Sequence, residues 1–144
     1  MSAARRLNPF PIDPTYAGIY THGVAVPPSH CTVYVSGQVG VAPDGALAED
    51  FRGQCQQAIR NVESVLRESN MQLDDVVKMS FFLTRREDME TLVEVRKSLL
   101  DGIAPAITTV VVAGLVSPDW LVEVEAYACS DRPVSSSVKH LGSI

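Results

Sequence analysis

Residues 50–83 read DFRGQCQQAIRNVESVLRESNMQLDDVVKMSFFL, and the hydrophobic period changes along this stretch. Apolar residues first recur every three or four positions, the spacing of one helix face; they are Phe51, Cys55, Ala58, Ile59, Val62, Val65 and Leu66. Asp50 is suited to cap the start of this helix and Asn70 its end. From Val76 to Leu83, β-branched and aromatic residues predict a strand. A helix followed by a strand indicates an α/β fold.

Outward from this unit, the sequence predicts a second helix and further strands. Thr84 and Glu87 form a capping-box pattern ahead of that helix, which ends near Leu100. Strands are predicted at 18–26, 31–40, 106–112 and 121–129, and the turn at 27–30 is expected to join the first two into a hairpin.

The predicted element order is therefore ββαβαββ. We expect one α/β (α+β) domain over residues 1–144, with a mixed sheet and both helices packed on one of its faces. The ordered core is predicted at about 8–129, and the polar segment 130–144 is predicted to be a flexible tail or an arm.

The composition excludes several classes of function. The chain has 12 Lys+Arg against 17 Asp+Glu, a net charge of -5, so nucleic acid is not an expected partner. No apolar run is long enough to span a bilayer, and we expect no membrane partner. Three cysteines without a CxxC pair indicate reduced thiols and a cytoplasmic location rather than a zinc site. Phosphate-loop, dinucleotide-binding, zincin and α/β-hydrolase motifs do not occur.

One face of the predicted sheet is polar but carries few charges. Alternation assigns to this face Thr32, Tyr34, Ser36, Gln38, Lys78, Ser80, Phe82, Leu121, Glu123, Glu125, Tyr127 and Cys129. Sheet faces open to solvent usually carry more Lys, Glu and Arg, whereas charged residues make up only 20% of this chain. We therefore expect this face to be covered in an oligomer.

Two groups of residues on the strands are candidates for chemistry. Glu123 and Glu125 share a strand face, and paired carboxylates perform acid–base work when burial raises one pKa; a solvated edge or an interface salt bridge is the structural alternative. Gly37 interrupts an apolar strand, which marks close approach of a ligand or of another backbone; a β-bulge is the structural alternative. Tyr20 and His22 also share a strand face, close enough to share a ligand or a proton; a surface or strand-end role for His22 is the structural alternative.

Several motifs together resemble the Rid family, also called YjgF or L-PSP endoribonuclease-like. They are Tyr16-Ala-Gly-Ile-Tyr20, Val35-Ser-Gly-Gln38, Leu73-Asp-Asp-Val-Val-Lys78 before Phe81-Phe-Leu-Thr84, Pro105-Ala106 before a Thr/Val strand, and Val122-Glu-Val-Glu-Ala126. The resemblance implies a chorismate-mutase-like fold, a homotrimer, and a small-molecule cleft at each subunit interface. Active members of the family hydrolyse enamines and imines to ketoacids and ammonia without a metal or cofactor.

The resemblance also assigns residues to the cleft. Tyr20, Ser36 and Gly37 fall on ligand positions, with the Gly37 amide facing a ligand oxygen, and Glu123 falls on the position that orients or activates water.

Three other positions depart from the deaminating members. Ile107 stands where they carry an arginine that clamps the substrate carboxylate, Val93 where Asn is usual, and Thr109 where Cys is frequent. Arg85, Arg86, Arg132 or a neighbouring subunit would have to supply another clamp.

Three functions remain open. The first is a deaminase-type hydrolase whose specificity has moved away from 2-imino acids, because a guanidinium clamp contributes two charged hydrogen bonds of roughly 1.5 to 3 kcal/mol each. The second is a non-catalytic trimer that binds a metabolite or a protein partner. An endoribonuclease is ranked last because the chain is acidic.

Overall fold

The computed structural model describes residues 4–9, 12 and 20–133. These residues form six strands and two α-helices, in the order β1 (Arg5–Leu7), β2 (Gly23–Ala25), β3 (Cys31–Val39), α1 (Phe51–Glu68), β4 (Val76–Leu83), α2 (Met89–Leu99), β5 (Ala106–Val111) and β6 (Val122–Ser130). Short 3-10 helices at Leu73–Asp75 and Arg86–Asp88 precede β4 and α2. Residues 16–19 of the first motif, and the predicted tail from residue 134 onward, lie outside the described residues.

The main sheet has the strand order β3-β6-β4-β5. β6 pairs antiparallel with both β3 and β4, and β4 pairs parallel with β5. This arrangement is the predicted mixed sheet, because the crossover through α2 places β5 parallel to β4. β6, the last strand of the sequence, lies at the centre and joins the two halves of the sheet.

The predicted hairpin between the first two strands is wrong. β2 pairs with β1, with Arg5 opposite Ala25 and Leu7 opposite Gly23. Thr21 then bridges to Ala106, so this two-stranded ribbon lies beside β5, at the opposite edge of the sheet from β3. The turn at 27–30 does form, since the His30 amide donates to the Pro27 carbonyl at 3.2 Å. A local turn does not determine which strands pair, and the short, charged β1 gave no alternation signal in the sequence.

The caps of α1 are as predicted. The Asp50 side chain accepts a hydrogen bond from the Gly53 amide at 3.0 Å. Asn70 follows the helix with a φ of 57°, and the Met71 amide donates back to Leu66, as in a Schellman ending.

The capping box predicted at Thr84 and Glu87 does not form. The Thr84 amide donates to Leu121 on the strand side, and the Arg85 side chain instead pairs with Asp88. A capping box exists elsewhere, where the Gln72 amide donates to the Asp75 carboxylate at 2.8 Å. Thr84 is still held by the strand, and the 3-10 turn begins at Arg86 with Arg85 at the cap position, so Thr84 lies one residue too early to cap it.

One hydrophobic core lies between the helices and the sheet, as predicted. On the sheet side it contains Met79, Phe81, Leu83, Val122, Val124, Ala126 and Ala128, all nearly inaccessible to solvent. Burying this apolar surface is the main stabilising contribution to the fold. Strand alternation therefore turns the intervening residues of β4 and β6 toward the face that the helices leave uncovered, which we call the open face.

Gln54 of α1 fixes the start of β6. Its buried side chain accepts from the Leu121 amide at 2.8 Å and donates to the carbonyls of Ala48 and Asp119. All three bonds are made to backbone in segments flanking the helix and β6, and a buried polar group satisfied in this way is rigid. The contact holds β6 in place two residues before Glu123.

Candidate functional site

The open face carries a β-bulge at Ser36 and Gly37. The register between β3 and β6 passes from Val35–Ala126 to Gln38–Val124, so these two residues of β3 oppose only Glu125 of β6. Bulges bend a strand and re-aim its side chains. Gln38 is paired with the helix-side residue Val124, so the prediction that Gln38 lies on the open face is wrong: the bulge shifts the alternation by one residue.

The Glu123 carboxylate lies directly over Gly37. A Cβ atom built on Gly37 would be 1.9 Å from Glu123 Oε1 and 2.8 Å from its Cδ atom. No real side chain approaches so closely, so residue 37 must lack one for the carboxylate to hold this position. Of the alternatives left open by the sequence, the structure shows the β-bulge, and this bulge brings Gly37 and Glu123 together.

Glu123 has no cationic partner among the described residues. The four ion pairs in that part of the chain join Arg52 to Glu94, Arg67 to Glu63, Arg85 to Asp88 and Arg132 to Asp75. Glu123 is half-buried and lies opposite Phe82 and Val39. A carboxylate in this setting keeps its lone pairs for a water molecule or a ligand donor.

Two aromatic residues and one cationic side chain extend the open face. Tyr34 is 73% exposed and Tyr127 39% exposed, and their rings contact edge to face with centroids 5.2 Å apart. Lys78 Nζ donates to Thr108 Oγ1 at 2.6 Å. Glu125, opposite Ser80, completes a surface that is aromatic and polar with few charges.

Tyr20 and Val93 line a separate cleft of about 450 Å³. Its walls are the β1–β2 ribbon, α2 and the segment 100–104 that follows α2. The Tyr20 ring contacts the His22 ring edge to face, with centroids 5.4 Å apart, so the predicted proximity of these two residues is confirmed.

Ile107 and Thr109 lie on the helix side of β5. The parallel register pairs them with Met79 and Phe81, which both face the core. Ile107 packs against this core. Within one chain, the structure thus brings Ser36 and Gly37 together with Glu123 on the open face, and Tyr20 together with Val93 in the cleft, while Ile107 and Thr109 lie on the sheet face opposite Glu123.

Two of the arginines considered as alternative clamps are engaged elsewhere. Arg85 donates to both oxygens of Asp88, at 2.9 and 3.0 Å. Arg132 pairs with the buried Asp75 carboxylate. Both guanidinium groups are therefore bound to carboxylates of this chain and not directed toward Glu123 or the cleft.

The sequence reasoning missed Arg96, which lines the cleft beside Val93. Its guanidinium lies over the Phe81 ring, 5.7 Å from the centroid. Burial lowers the pKa of Arg96, and the neighbouring Cys55 opposes that shift. The sequence did contain a signal for it, since Arg96 lies on the otherwise apolar face of α2. Charged side chains are rarely buried without a partner, so an arginine at such a position indicates a specific role.

The endoribonuclease L-PSP family model matches residues 12–130 of the sequence. The chain belongs to the endoribonuclease L-PSP family. One relative in this Rid/YjgF/L-PSP family is the 2-iminobutanoate/2-iminopropanoate deaminase of Dermatophagoides farinae, 33% identical over 113 residues that cover 77% of this chain and 86% of the relative.

Two solved structures are similar to this endoribonuclease L-PSP family member. The Rid-family protein YyfB from Yersinia pestis matches with a TM-score of 0.77 and 26% identity, over 88% of this chain and 98% of YyfB. Escherichia coli TdcF, solved with bound serine, matches with a TM-score of 0.64 and 32% identity, over 76% of this chain and 86% of TdcF. The predicted Rid resemblance and the chorismate-mutase-like mixed α/β fold are therefore confirmed.

The described residues include neither a membrane-spanning helix nor a metal-binding cluster. No helix there is long and apolar enough to cross a membrane. In that same part of the chain, no three residues among His, Cys, Asp and Glu are grouped so that they would hold a metal ion.

Proposed function

We propose that this protein is a cofactor-free hydrolase of reactive enamines and imines, with Glu123 as the catalytic residue. The observation that carries the proposal is the Glu123 carboxylate held over Gly37 without a cationic partner among the described residues. The family supports the reaction class, since the mite relative is named a 2-iminobutanoate/2-iminopropanoate deaminase.

In the proposed reaction, Glu123 orients a water molecule and accepts one of its protons as the water oxygen bonds to the imine carbon. Glu123 passes this proton to the substrate nitrogen, which becomes the amino group of the tetrahedral adduct. The hydroxyl of the adduct then gives up its proton to the same nitrogen through Glu123, so the C–N bond breaks, ammonia leaves and the carbonyl forms. An enamine enters the same path after it gains a proton at carbon and loses one from nitrogen to become the imine. The water supplies the carbonyl oxygen, and no electrons are exchanged with a cofactor. The Gly37 amide would donate a hydrogen bond to the oxygen that develops on the substrate.

We further propose that the working unit is a homotrimer with its clefts at the subunit interfaces. The support is the open face, where Tyr34 and Tyr127 leave large aromatic surfaces exposed beside Glu123. Exposed aromatic patches of this kind are typical of surfaces that associate. Contact between copies would also allow residues on opposite sheet faces to contribute to one site.

Sedimentation tests the trimer directly. The wild type should sediment at three times the 15.6 kDa chain mass. Tyr34→Asp should dissociate it, because a carboxylate would be desolvated at the interface. The matched control is Val65→Asp, which places the same charge at a position on α1 that is 37% exposed. A wild-type monomer at micromolar concentration would exclude the proposed assembly.

The proposed specificity excludes small 2-imino acids. Ile107 packs against the core and offers no charge to a carboxylate. Losing two charged hydrogen bonds of roughly 1.5 to 3 kcal/mol each weakens carboxylate binding by about two to four decades. We therefore expect substrates whose recognition does not depend on a carboxylate beside the reacting carbon.

A substrate panel tests the activity. 2-Iminopropanoate, generated from alanine by an amino-acid oxidase, should be hydrolysed no faster with the protein than without it. The imines of benzaldehyde and 4-carboxybenzaldehyde, formed with ammonia and diluted into buffer, report hydrolysis through their ultraviolet absorbance. Acceleration that is lost in Glu123→Gln supports the proposal. No acceleration of either aromatic imine, or full activity in Glu123→Gln, refutes it.

The second candidate function is a trimer that binds a metabolite without catalysis. The observation that favours it is the apolar character of Val93 and Ile107 at positions where the resemblance expects polar or charged ligand groups. The same experiment separates the two functions, because a binding protein would retain ligand in its cleft and accelerate none of the imines.

A further inference from the structure

Among the described residues that line the cleft of Tyr20 and Val93, positive charges outnumber negative ones. Arg6, Arg96 and Lys97 are the cationic members of that lining, and Asp101 is its anionic member. The chain as a whole has a net charge of -5, so this local excess runs against the overall balance. Low-dielectric walls lined by one sign of charge concentrate counter-ions of the other sign.

Arg96 is held in a fixed position at the cleft wall. The guanidinium of Arg96 lies over the Phe81 ring. The buried Cys55 of α1 is a second neighbour of this group. An arginine remains charged at neutral pH even when partly buried. A partly desolvated guanidinium gains more from an anion than an exposed one does, because the surrounding dielectric is lower.

The β1–β2 ribbon supplies hydrogen-bond donors to the same cleft. Arg6 comes from β1, and it takes part in none of the ion pairs found among residues 4–9, 12 and 20–133. Asn8 Oδ1 accepts from the His22 amide at 3.0 Å, and this bond leaves the Asn8 Nδ2 group as a donor. Donors thus come from the ribbon and from α2, on two sides of one cavity.

We propose that this cleft binds an oxyanion through Arg96 and Arg6, and that the substrate carries this anionic group several atoms away from its reacting carbon. Within one chain this cleft and Glu123 lie apart, so the substrate half of the proposal requires the proposed homotrimer to bring the cleft of one copy beside Glu123 of a neighbouring copy. Arg96 lies three residues beyond Val93 and is displaced along α2 by about 4.5 Å, which sets the anionic group away from the Val93 position. The second half of this inference rests on the proposed hydrolase function. The anion is a carboxylate or a phosphate, which the same guanidinium fork recognises.

Calorimetric titration with inorganic phosphate and with succinate tests the anion site. At low ionic strength at least one of them should bind, and the stronger one identifies the type of anion. Arg96→Met should weaken that binding at least tenfold and Arg6→Gln at least threefold. Arg60→Gln, a matched change at an exposed arginine of α1 away from the cleft, should leave it unchanged. Absence of binding, or equal affinity in all variants, overturns the proposal.

Arg96 also packs against Phe81, so Arg96→Met is checked for folding by circular dichroism. If it does not fold, Arg96→Lys and Arg6→Gln decide the question. Lysine keeps the charge but loses the fork, so it should weaken phosphate binding without abolishing it. Wild-type affinity in both of these variants would count against the anion site.

Hydrolysis rates test the substrate half of the inference. The wild type should hydrolyse the imine of 4-carboxybenzaldehyde with a kcat/KM at least tenfold higher than that of benzaldehyde. Arg96→Met should reduce this preference, and Arg60→Gln should not. Equal rates for both imines overturn the substrate assignment. If phosphate or succinate binds but neither imine is hydrolysed, the anion site stands and the proposed hydrolase fails.

Discussion

Replacing Gly37 by alanine separates catalysis from stability. The new Cβ atom would lie 1.9 Å from Glu123 Oε1, so the carboxylate must move by about 1.5 Å to reach the 3.4 Å at which ordinary contact begins. A misplacement of about 1 Å costs a catalytic group on the order of a hundredfold in rate. We therefore expect kcat/KM of Gly37→Ala to fall by about a hundredfold.

The same change should not unfold the protein. The obstructing atoms belong to the end of a half-buried side chain that rotates away. Gly37 is not among the described residues with positive φ, so alanine fits its backbone. Removing glycine's freedom from the unfolded chain then stabilises the fold by about 0.4 to 1 kcal/mol, or about 1 to 4 °C in Tm for a chain of this size.

The assay compares wild type, Gly37→Ala and Gly23→Ala in imine hydrolysis and thermal unfolding. Gly23 is a matched control in β2, where an added Cβ meets Leu7 at an ordinary 3.6 Å. Full activity in Gly37→Ala would show that the carboxylate need not lie over residue 37. A loss of several degrees in Tm would show that the carboxylate cannot move, and either result would refute the reasoning.

Further predictions concern specificity, RNA and pH. Ile107→Arg should give part of the missing 2-imino acid hydrolysis, measured as ketoacid release from serine in an assay coupled to a pyridoxal-phosphate dehydratase; restoration is incomplete because Val93 offers the new guanidinium no hydrogen bond. Acceleration by the wild type in that assay would show that the clamp is dispensable. Because the net charge is -5, single-stranded RNA should not be retarded in a gel shift at about 0.15 M salt, and a shifted band would contradict this. Burial raises the pKa of the Cys55 thiol from 9.0 to about 12, with an opposing, smaller effect of Arg96. Since the unfolded chain releases this proton first, the free energy of unfolding should fall as pH rises from about 9 toward 12, by at most about 1.4 kcal/mol per pH unit from this group. In urea titrations Cys55→Ala should have a shallower alkaline slope than the wild type, and parallel curves would exclude the effect.

The elements that the sequence predicted well are those set by local pattern. The apolar stripe of α1 and the caps at Asp50 and Asn70 depend on residues within a few positions of one another, and the structure matches them. The pairing of β2 with β1, instead of with β3, depends on which of two separate segments binds β2 more favourably. A local sequence pattern does not determine this choice.

In the candidate site, too, the features that the sequence did not predict are those that depend on contacts between distant segments. The contact between Gly37 and Glu123 depends on a bulge that shifts the β3 register, and alternation alone placed Gln38 on the wrong face because of it. Arg96 was visible as an arginine on the apolar face of α2, but its place in a cleft depends on the β1–β2 ribbon, which the sequence did not reveal.

In the part of the chain that the structure describes, Thr21 links the ribbon that forms one wall of the cleft to the sheet. The Thr21 amide donates to the Pro105 carbonyl at 3.1 Å, and Thr21 forms a bridge with Ala106. β1 itself is exposed and β2 only half-buried. By contrast, β4 lies within the sheet, paired on both edges and facing the core. Segments with few buried contacts open locally at a lower free energy than the rest of a protein, and their amide hydrogens exchange sooner. A ligand bound between this wall and α2 stabilises the ribbon against local opening. Its binding would therefore appear as slowed amide exchange in β1 and β2, with the exchange of the β4 amides unchanged.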